Sequence, residues 1–486
     1  MEQSRLIKTI VELNLKEREQ FRLFVSSPYF NLHKKTTEFL EIILKQLDSG
    51  KSESLGKERI FKKLFPKDKY EEQKIHNLMS GLKKLLLRFL ALQQYESKEN
   101  VEEIYAMEWA YKRNQFELLT NRAKQLEKKF DHEVVQKTEL TFARYRLNYL
   151  MGYYGGQFVD RSKSDTMQRM LNYLDAYYLE EKLRNACHLT AHKILMNTNY
   201  DFGLLPELLT FIENHPDLLF NNKVISLYYT ILKSLQDDNN PEHYLALKEM
   251  LGNLGLNISP QDRQDLYSFS YNYCISKINK GDKAYQRELF ELYQKGLAGG
   301  DLLNNGIINE WDYKNITTLG CSLKEFAWTE NFIEEFKEYL PAHRRENAYL
   351  YNLGNLYYHK KWFDEAISAL IRVQFTDITY HLNTTFLMLR TYHAKRDTDA
   401  LLSLLDTFRI YIMRNNHINT EQKKGYTNFL RFTKKMVMIK HQIEFLDSNK
   451  AAAQLKMLLE QIKITDNIIN KFWLEEECSN LAVPQS

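Results

Sequence analysis

Apolar residues return at intervals of three and four along nearly the whole chain, which is the spacing of amphipathic helices. The clearest stripe is Ile75, Leu78, Met79, Leu82, Leu85, Leu86 and Phe89, with Lys74, Asn77, Gly81, Lys84 and Arg88 on the opposite face. Around it the punctuation is that of helices too. Asn14 followed by Glu17 fits a capping box, and Ser26-Ser27-Pro28 ends that helix because the residue before proline is pushed out of the α region. Lys57 to Phe65 gives a short helix stopped by Pro66, and Asp68 with Glu71 is expected to cap the longer one that carries the stripe. Ser259-Pro260 and Asn240-Pro241 each place a capping residue before a proline at the first helical position.

Beyond Val101 the pattern becomes a succession of helix pairs. Ile104 to Tyr111 and Phe116 to Phe130 flank a turn at Lys112-Arg113-Asn114, and Val134 to Met151 starts a further helix. The glycines 152, 155 and 156 read as an interhelix loop, because neither a preceding strand nor a following Lys-Ser/Thr pair makes them a phosphate cradle. Gln261 to Ile278 and Lys283 to Leu297 pair around Lys280-Gly281-Asp282. From Leu319 to Leu404 similar residues then return at a fixed offset of 34, without gaps: Leu319, Leu353 and Leu387; Gly320 and Gly354; Trp328 and Trp362; Ile333, Ile367 and Leu401; Phe336, Leu370 and Leu404; Tyr358-His359 and Tyr392-His393. Phe332 stands where this offset places Ala366, so the first of the three pairs is expected to be degenerate and wider. Thr420 to Phe445 and Lys450 to Phe472 read as long closing helices, and Asn480 to Ser486 as a tail.

The period, with Leu353-Gly354, Tyr357-Tyr358, Trp362-Phe363, Ala366-Ile367 and Leu370, resembles the tetratricopeptide repeat. That resemblance implies an all-α chain and a right-handed α-solenoid of antiparallel helix hairpins; with no triad signature, no paired carboxylates in a recognisable context and no nucleotide loop, no enzymatic activity is expected. The expected division is a basic helical domain over 1–95, degenerate hairpins over 96–300, repeats over 301–415 and capping helices over 416–486. In that family the first helix of each repeat lines a concave groove. Carried over, this nominates Tyr351, Asn355, Tyr358, His359, Thr385, Tyr392 and His393 as a surface for a peptide or folded protein partner. A carboxylate clamp of Lys and Asn is not implied, since Tyr351 stands where the Lys would.

Charge adds a second possibility. Residues 1–95 hold 19 Lys+Arg against 12 Asp+Glu, or +7, whereas the remainder holds 48 against 51, or −3. Lys57 to Leu86, with Phe65-Pro66 and Ile75, Met79, Ser80, Leu82, Lys83, Lys84 and Leu86, resembles the winged-helix DNA-binding domain of response regulators and related bacterial activators, although helix continues where the wing would be. The alternative reading is therefore a regulator with a nucleic-acid-binding head, using Lys74, Asn77, Lys84 and Arg88, and a sensor or oligomerisation repeat domain.

Composition narrows the rest. The 4 cysteines lie far apart with no CxxC spacing, so neither a zinc site nor a disulfide framework is indicated. His188 and His192 share a helical face, but no HExxH and no third ligand accompany them, and no metal or other cofactor is expected. Met1 to Leu13 lacks the apolar core of a signal peptide, and the densest apolar run, Leu85 to Leu92, is broken by Arg88 and too short to span a bilayer. A cytoplasmic, membrane-free protein is the expectation.

Overall fold

A computed structural model describes residues 4–48, 56–155, 165–196, 198–237, 240–253, 257–374, 378–443 and 448–482. Among them lie twenty-four α-helices and one two-stranded ribbon, and no helix is long and apolar enough to cross a membrane. The chain divides into two compact units, one running to Arg184 and including Glu207–Phe211, the other formed by Asn185–Pro206 with Ile212–Ser486.

In the first unit, α1 (Arg5–Glu12), α2 (Leu15–Ser26), α3 (Lys34–Asp48), α4 (Lys57–Leu64) and α5 (Glu72–Glu96) share one apolar cluster from Leu6 to Phe89. Ile75, Leu82, Leu86 and Phe89 of the stripe are buried in it, each such side chain contributing about 1.5–3 kcal/mol relative to exposure. The Asn14–Glu17 capping box forms in both directions. The expected cap of α5 does not: Glu71 precedes the helix without a side-chain cap bond, because its carboxylate and that of Asp68 turn instead to Lys74, at 3.1 and 3.0 Å. A separate cluster joins α6 (Val101–Lys112), α7 (Phe116–Asp131) and α8 (Thr138–Gly155). Helix α8 starts four residues later than expected and runs through Gly152, so that glycine is helical rather than part of a loop; Gly156 lies outside the described residues. α9 (Asp165–Met196) is continuous across the division between the units.

After α10 (Leu205–Asn214), whose residues Glu207–Phe211 count with the first unit, the second unit continues with α11 (Pro216–Asn221), α12 (Lys223–Gln236), α13 (Pro241–Asn253), α14 (Pro260–Asn279) and α15 (Ala284–Ala298). Strands β1 (Leu303–Asn304) and β2 (Ile307–Ile308) follow, antiparallel across Asn305-Gly306, both at positive φ as a tight primed turn requires. Then come α16 (Glu310–Ser322), α17 (Phe326–Phe336), α18 (Arg345–His359), α19 (Phe363–Ile371), α20 (Ile378–Lys395), α21 (Thr398–Arg414), α22 (Thr420–Ile443), α23 (Ser448–Ile464) and α24 (Lys471–Ala482). Residues 450–472 are thus not one helix: α23 stops at Ile464 and α24 takes up part of the expected tail. Each of these helices packs on its successor, and α16 also on α18, α18 on α20, and α22 on α24.

One joint recurs. Asn114, Gly281, Lys324, Lys361 and Arg396 are left-handed residues just past α6, α14, α16, α18 and α20. After each, the next amide donates five residues back: Gln115 to Ala110, Asp282 to Lys277, Glu325 to Gly320, Trp362 to Tyr357 and Asp397 to Tyr392, all at 2.9–3.0 Å. The left-handed residue itself donates three back, completing a Schellman cap. These joints correct the register of the repeat. The carbonyls of Gly320, Tyr357 and Tyr392 are equivalent, so the intervals are 37 and 35 rather than a constant 34. Counted from the joint, Thr329 and not Phe332 corresponds to Ala366; both are fully buried and small, so the first pair keeps the close approach that the constant offset denied it. A Cβ on Gly320 would lie 2.2 Å from Thr329 Oγ1, and one on Gly354 2.7 Å from Leu370 Cγ, the mark of helices in tight contact.

A left-handed conformation costs a non-glycine residue about 1–2 kcal/mol, part of which a glycine gives back through its freer unfolded chain. Lys361 is exposed, so Lys361→Gly is expected to raise the unfolding free energy by about 0.5–1 kcal/mol, and Lys361→Ile to lower it, in urea titrations with unchanged slope. A less stable Gly variant would refute the assignment of this joint.

Candidate functional site

Four of the seven groove candidates stand on α18. Tyr351 is half-buried beside Lys314 of α16, whose ammonium lies 5.5 Å from its ring centroid and 5.6 Å from that of Trp311. Burial holds the Lys314 ammonium below the usual lysine value and pushes the Tyr351 phenol up to about 12, against the opposing charge of Arg390. Asn355 is buried, its amide donating to Thr318 Oγ1 at 3.5 Å. Tyr358 and His359 meet edge to face, centroids 5.2 Å apart. Burial is the main influence on both, raising the phenol and lowering the imidazole, and Arg390 of α20 works with burial on His359 and against it on Tyr358.

The guanidinium of Arg390 is therefore the group that Tyr351, Tyr358 and His359 have in common. It lies 5.7 Å from the Trp473 ring centroid, donates to Asn470 Oδ1 at 3.3 Å, and leaves its buried Nε without a bonding partner. Sequence reasoning missed it, because a lone Arg carries no signal until the helices around it are placed. Cation and aromatic faces gathered in this way suit a partner that brings carboxylates or an apolar surface.

The three candidates on α20 are placed differently. Thr385 is buried and lines a cleft of about 700 Å³ with Leu404 and Phe408 of α21. Tyr392 packs against the apolar cluster that α20 to α24 share. His393 is 5 % exposed, its ring 5.5 Å from that of Trp473 and its Nδ1 3.6 Å from Glu477 Oε2 of α24. The two Tyr-His pairs are alike in sequence but not in place. Tyr358 stands three residues before its left-handed joint and Tyr392 four, and one residue is a rotation of about 100° on a helix.

The nucleic-acid candidates on α5 are largely engaged. Lys74 is held by Asp68 and Glu71, Asn77 accepts from Gln73 at 3.0 Å, and Arg88 lies 4.9 Å over the Phe30 ring. Lys84 is exposed. His188 and His192 also have separate tasks: His188 faces Asp265 at 3.6 Å, while His192 Nδ1 is 2.6 Å from Tyr200 Oη. Among the described residues no group of three or more His, Cys, Asp or Glu gathers as metal ligands would.

A buried carboxylate pair went unforeseen. Tyr228 Oη reaches Asp262 Oδ1 at 2.8 Å and Asp265 Oδ2 at 2.7 Å. Ser259 donates to the other oxygen of Asp262 and Gln261 to the other oxygen of Asp265. Burial, the largest influence, opposes ionisation of Asp265, yet His188 and Tyr228 together hold its carboxyl below the usual value. Tyr228 has one proton to share between the two carboxylates, and the cluster ties α12 to α14.

Comparison of the chain with protein-family models, with curated proteins and with solved structures gave no match.

His393 generates a pH prediction. Burial, aided by Lys440, holds its imidazole at about 4, whereas an unfolded His titrates near about 6.5. Between those values the unfolded chain takes up a proton that the folded one refuses, so acidification removes about 1.4 kcal/mol of stability per pH unit. His393→Gln abolishes that contribution. Urea midpoints from pH 7 to 4.5 are expected to fall more steeply for the native chain than for the variant, and parallel slopes would contradict the burial of a neutral ring.

Proposed function

We propose that the chain is a protein-binding module without catalytic activity of its own, a right-handed α-solenoid of antiparallel hairpins like the tetratricopeptide proteins, receiving a peptide or folded partner on the face shared by α16, α18 and α20. The observation that carries the reading is the half-buried set Tyr351, Tyr358 and His359 on α18, each feeling the charge of Arg390 on α20, with Lys314 over the rings of Trp311 and Tyr351. Aromatic side chains with two or few rotatable bonds, next to arginine, are the groups that carry most binding energy at protein surfaces. The left-handed joints after α14, α16, α18 and α20 supply the second support, since helix pairs closed in the same way suit a serial stack. The nucleic-acid alternative is weaker on the same chemistry: a phosphate approaching Lys74 would have to displace Asp68 and Glu71.

Affinity capture with the full chain immobilised is expected to recover a specific partner, and Tyr358→Ala with Arg390→Ala to weaken it tenfold or more, at unchanged circular dichroism. Recovery of the partner in full by the doubly substituted chain would overturn the assignment of this face. Affinity for duplex DNA that falls steeply with salt and is lost on Lys84→Gln would favour the alternative instead.

A further inference from the structure

A second surface lies on other faces of the same unit. α21, α22 and α23 enclose a cleft of about 690 Å³ that contains none of the residues discussed above as groove candidates. Its floor is apolar: Leu405, Leu430 and Leu458, one from each helix, are buried there. Its walls carry two methionines, Met438 at 43 % and Met457 at 65 % exposure. Thioether side chains left in water at the mouth of an apolar floor are adaptable contacts rather than core filling.

The shape follows from the sequence of α22. The residues it contributes, from Thr427 through Leu430, Arg431, Lys434 and Lys435 to Met438 and Ile439, repeat at three and four, so they form a single stripe. Twelve steps at about 1.5 Å make a furrow about 18 Å long, or three helical turns. A furrow floored by one helical stripe and flanked by two more helices is what an amphipathic helix fills, laying its ridge into the groove.

The charge is one-sided. The cleft is lined by Arg409, Arg431, Lys434 and Lys435 against a single acid, Asp406, which is taken by Lys434 at 3.1 Å. Arg431 lies 4.6 Å over the Phe432 ring, and Lys435 donates to the neutral amide oxygen of Gln461 at 3.3 Å. Arg409, Arg431 and Lys435 are therefore three cations that no carboxylate lining the cleft neutralises. All three are exposed.

We propose that this cleft docks an acidic amphipathic helix of a partner protein, three to four turns long, with apolar residues seated on Leu405, Leu430 and Leu458 and Asp or Glu residues reaching Arg409, Arg431 and Lys435. The proposal rests on reading the chain as a protein-binding module but uses a different surface from the Arg390 face. Apolar contact supplies the affinity, and the cations fix polarity and reject basic helices.

The test uses the full chain and a fluorescein-labelled sixteen-residue peptide with Leu at the three-four positions of one face and Glu on the flanks, followed by fluorescence anisotropy. Saturable binding is expected, weakened tenfold or more by Arg431→Glu with Lys435→Glu and, independently, by Met457→Asp. A peptide with Lys in place of every Glu is expected to bind at least tenfold more weakly. Tyr358→Ala with Arg390→Ala is expected to leave the peptide affinity unchanged, so failure here and failure of the Arg390 face are read separately. Equal binding of the Lys peptide, indifference to the cleft substitutions, or binding to phosphatidylglycerol vesicles in place of the peptide would each overturn the proposal. Circular dichroism and urea midpoints of the variants verify that they are folded.

Discussion

The left-handed joint is the constraint on which the arrangement of α16 to α21 depends. A helix in water ends with carbonyls that need donors, and in each joint the chain meets that need by turning back at one residue with positive φ. Two amides then close on the last turn. The reversal fixes where the next helix starts, hence which of its residues meet the one before. At Lys361 the capping is completed by packing, since Tyr357 and Trp362, the two ends of the long bond, have ring centroids 5.7 Å apart. Asn114, Lys324, Lys361 and Arg396 make their joints without glycine, so packing of the paired helices must offset a conformational cost at each.

This explains what the sequence discloses and what it conceals. Helix class, the Asn14 capping box and the buried stripe of α5 were legible because they depend on neighbours within one or two turns. The succession of helices over 310–414 was legible for the same reason: aromatic, small and aliphatic residues recur at helical spacing. Its register was not, because Lys324, Lys361 and Arg396 look like ordinary surface cations and nothing local announces that they hold positive φ. A slip of one residue between Tyr358 and Tyr392 then turned similar dipeptides toward different surroundings. The ribbon at 303–308 was equally invisible, its strands being two residues each, although Asn305-Gly306 is the turn signal that could have disclosed it.

The candidate site was only half legible. Tyr351, Asn355, Tyr358 and His359 came from family likeness and lie on one helix, but Arg390, whose charge acts on Tyr351, Tyr358 and His359, comes from another. Contacts between helices cannot be deduced from spacing within one. The same holds for His393, whose burial against α24 depends on residues eighty positions away, and for the carboxylates of Asp262 and Asp265 about Tyr228. In each case a polar group leaves water where several helices meet, and its partners come from elements far apart in the sequence. The Arg390 face and the basic cleft of α21 to α23 therefore use one device, cations set beside apolar surface, on different faces of one scaffold.

The central claim is that α16 to α21 are successive equivalent pairs piled in series, each closed by the same joint. Spin labels placed pairwise at residues 324, 361 and 396, followed by electron paramagnetic resonance distances, test it most directly. Serial stacking predicts similar distances for 324–361 and 361–396, on the order of 10 Å for each step between packed helices, with the 324–396 distance close to their sum. A 324–396 distance no longer than either neighbouring one would mean that the pairs fold back on each other, and would contradict the account.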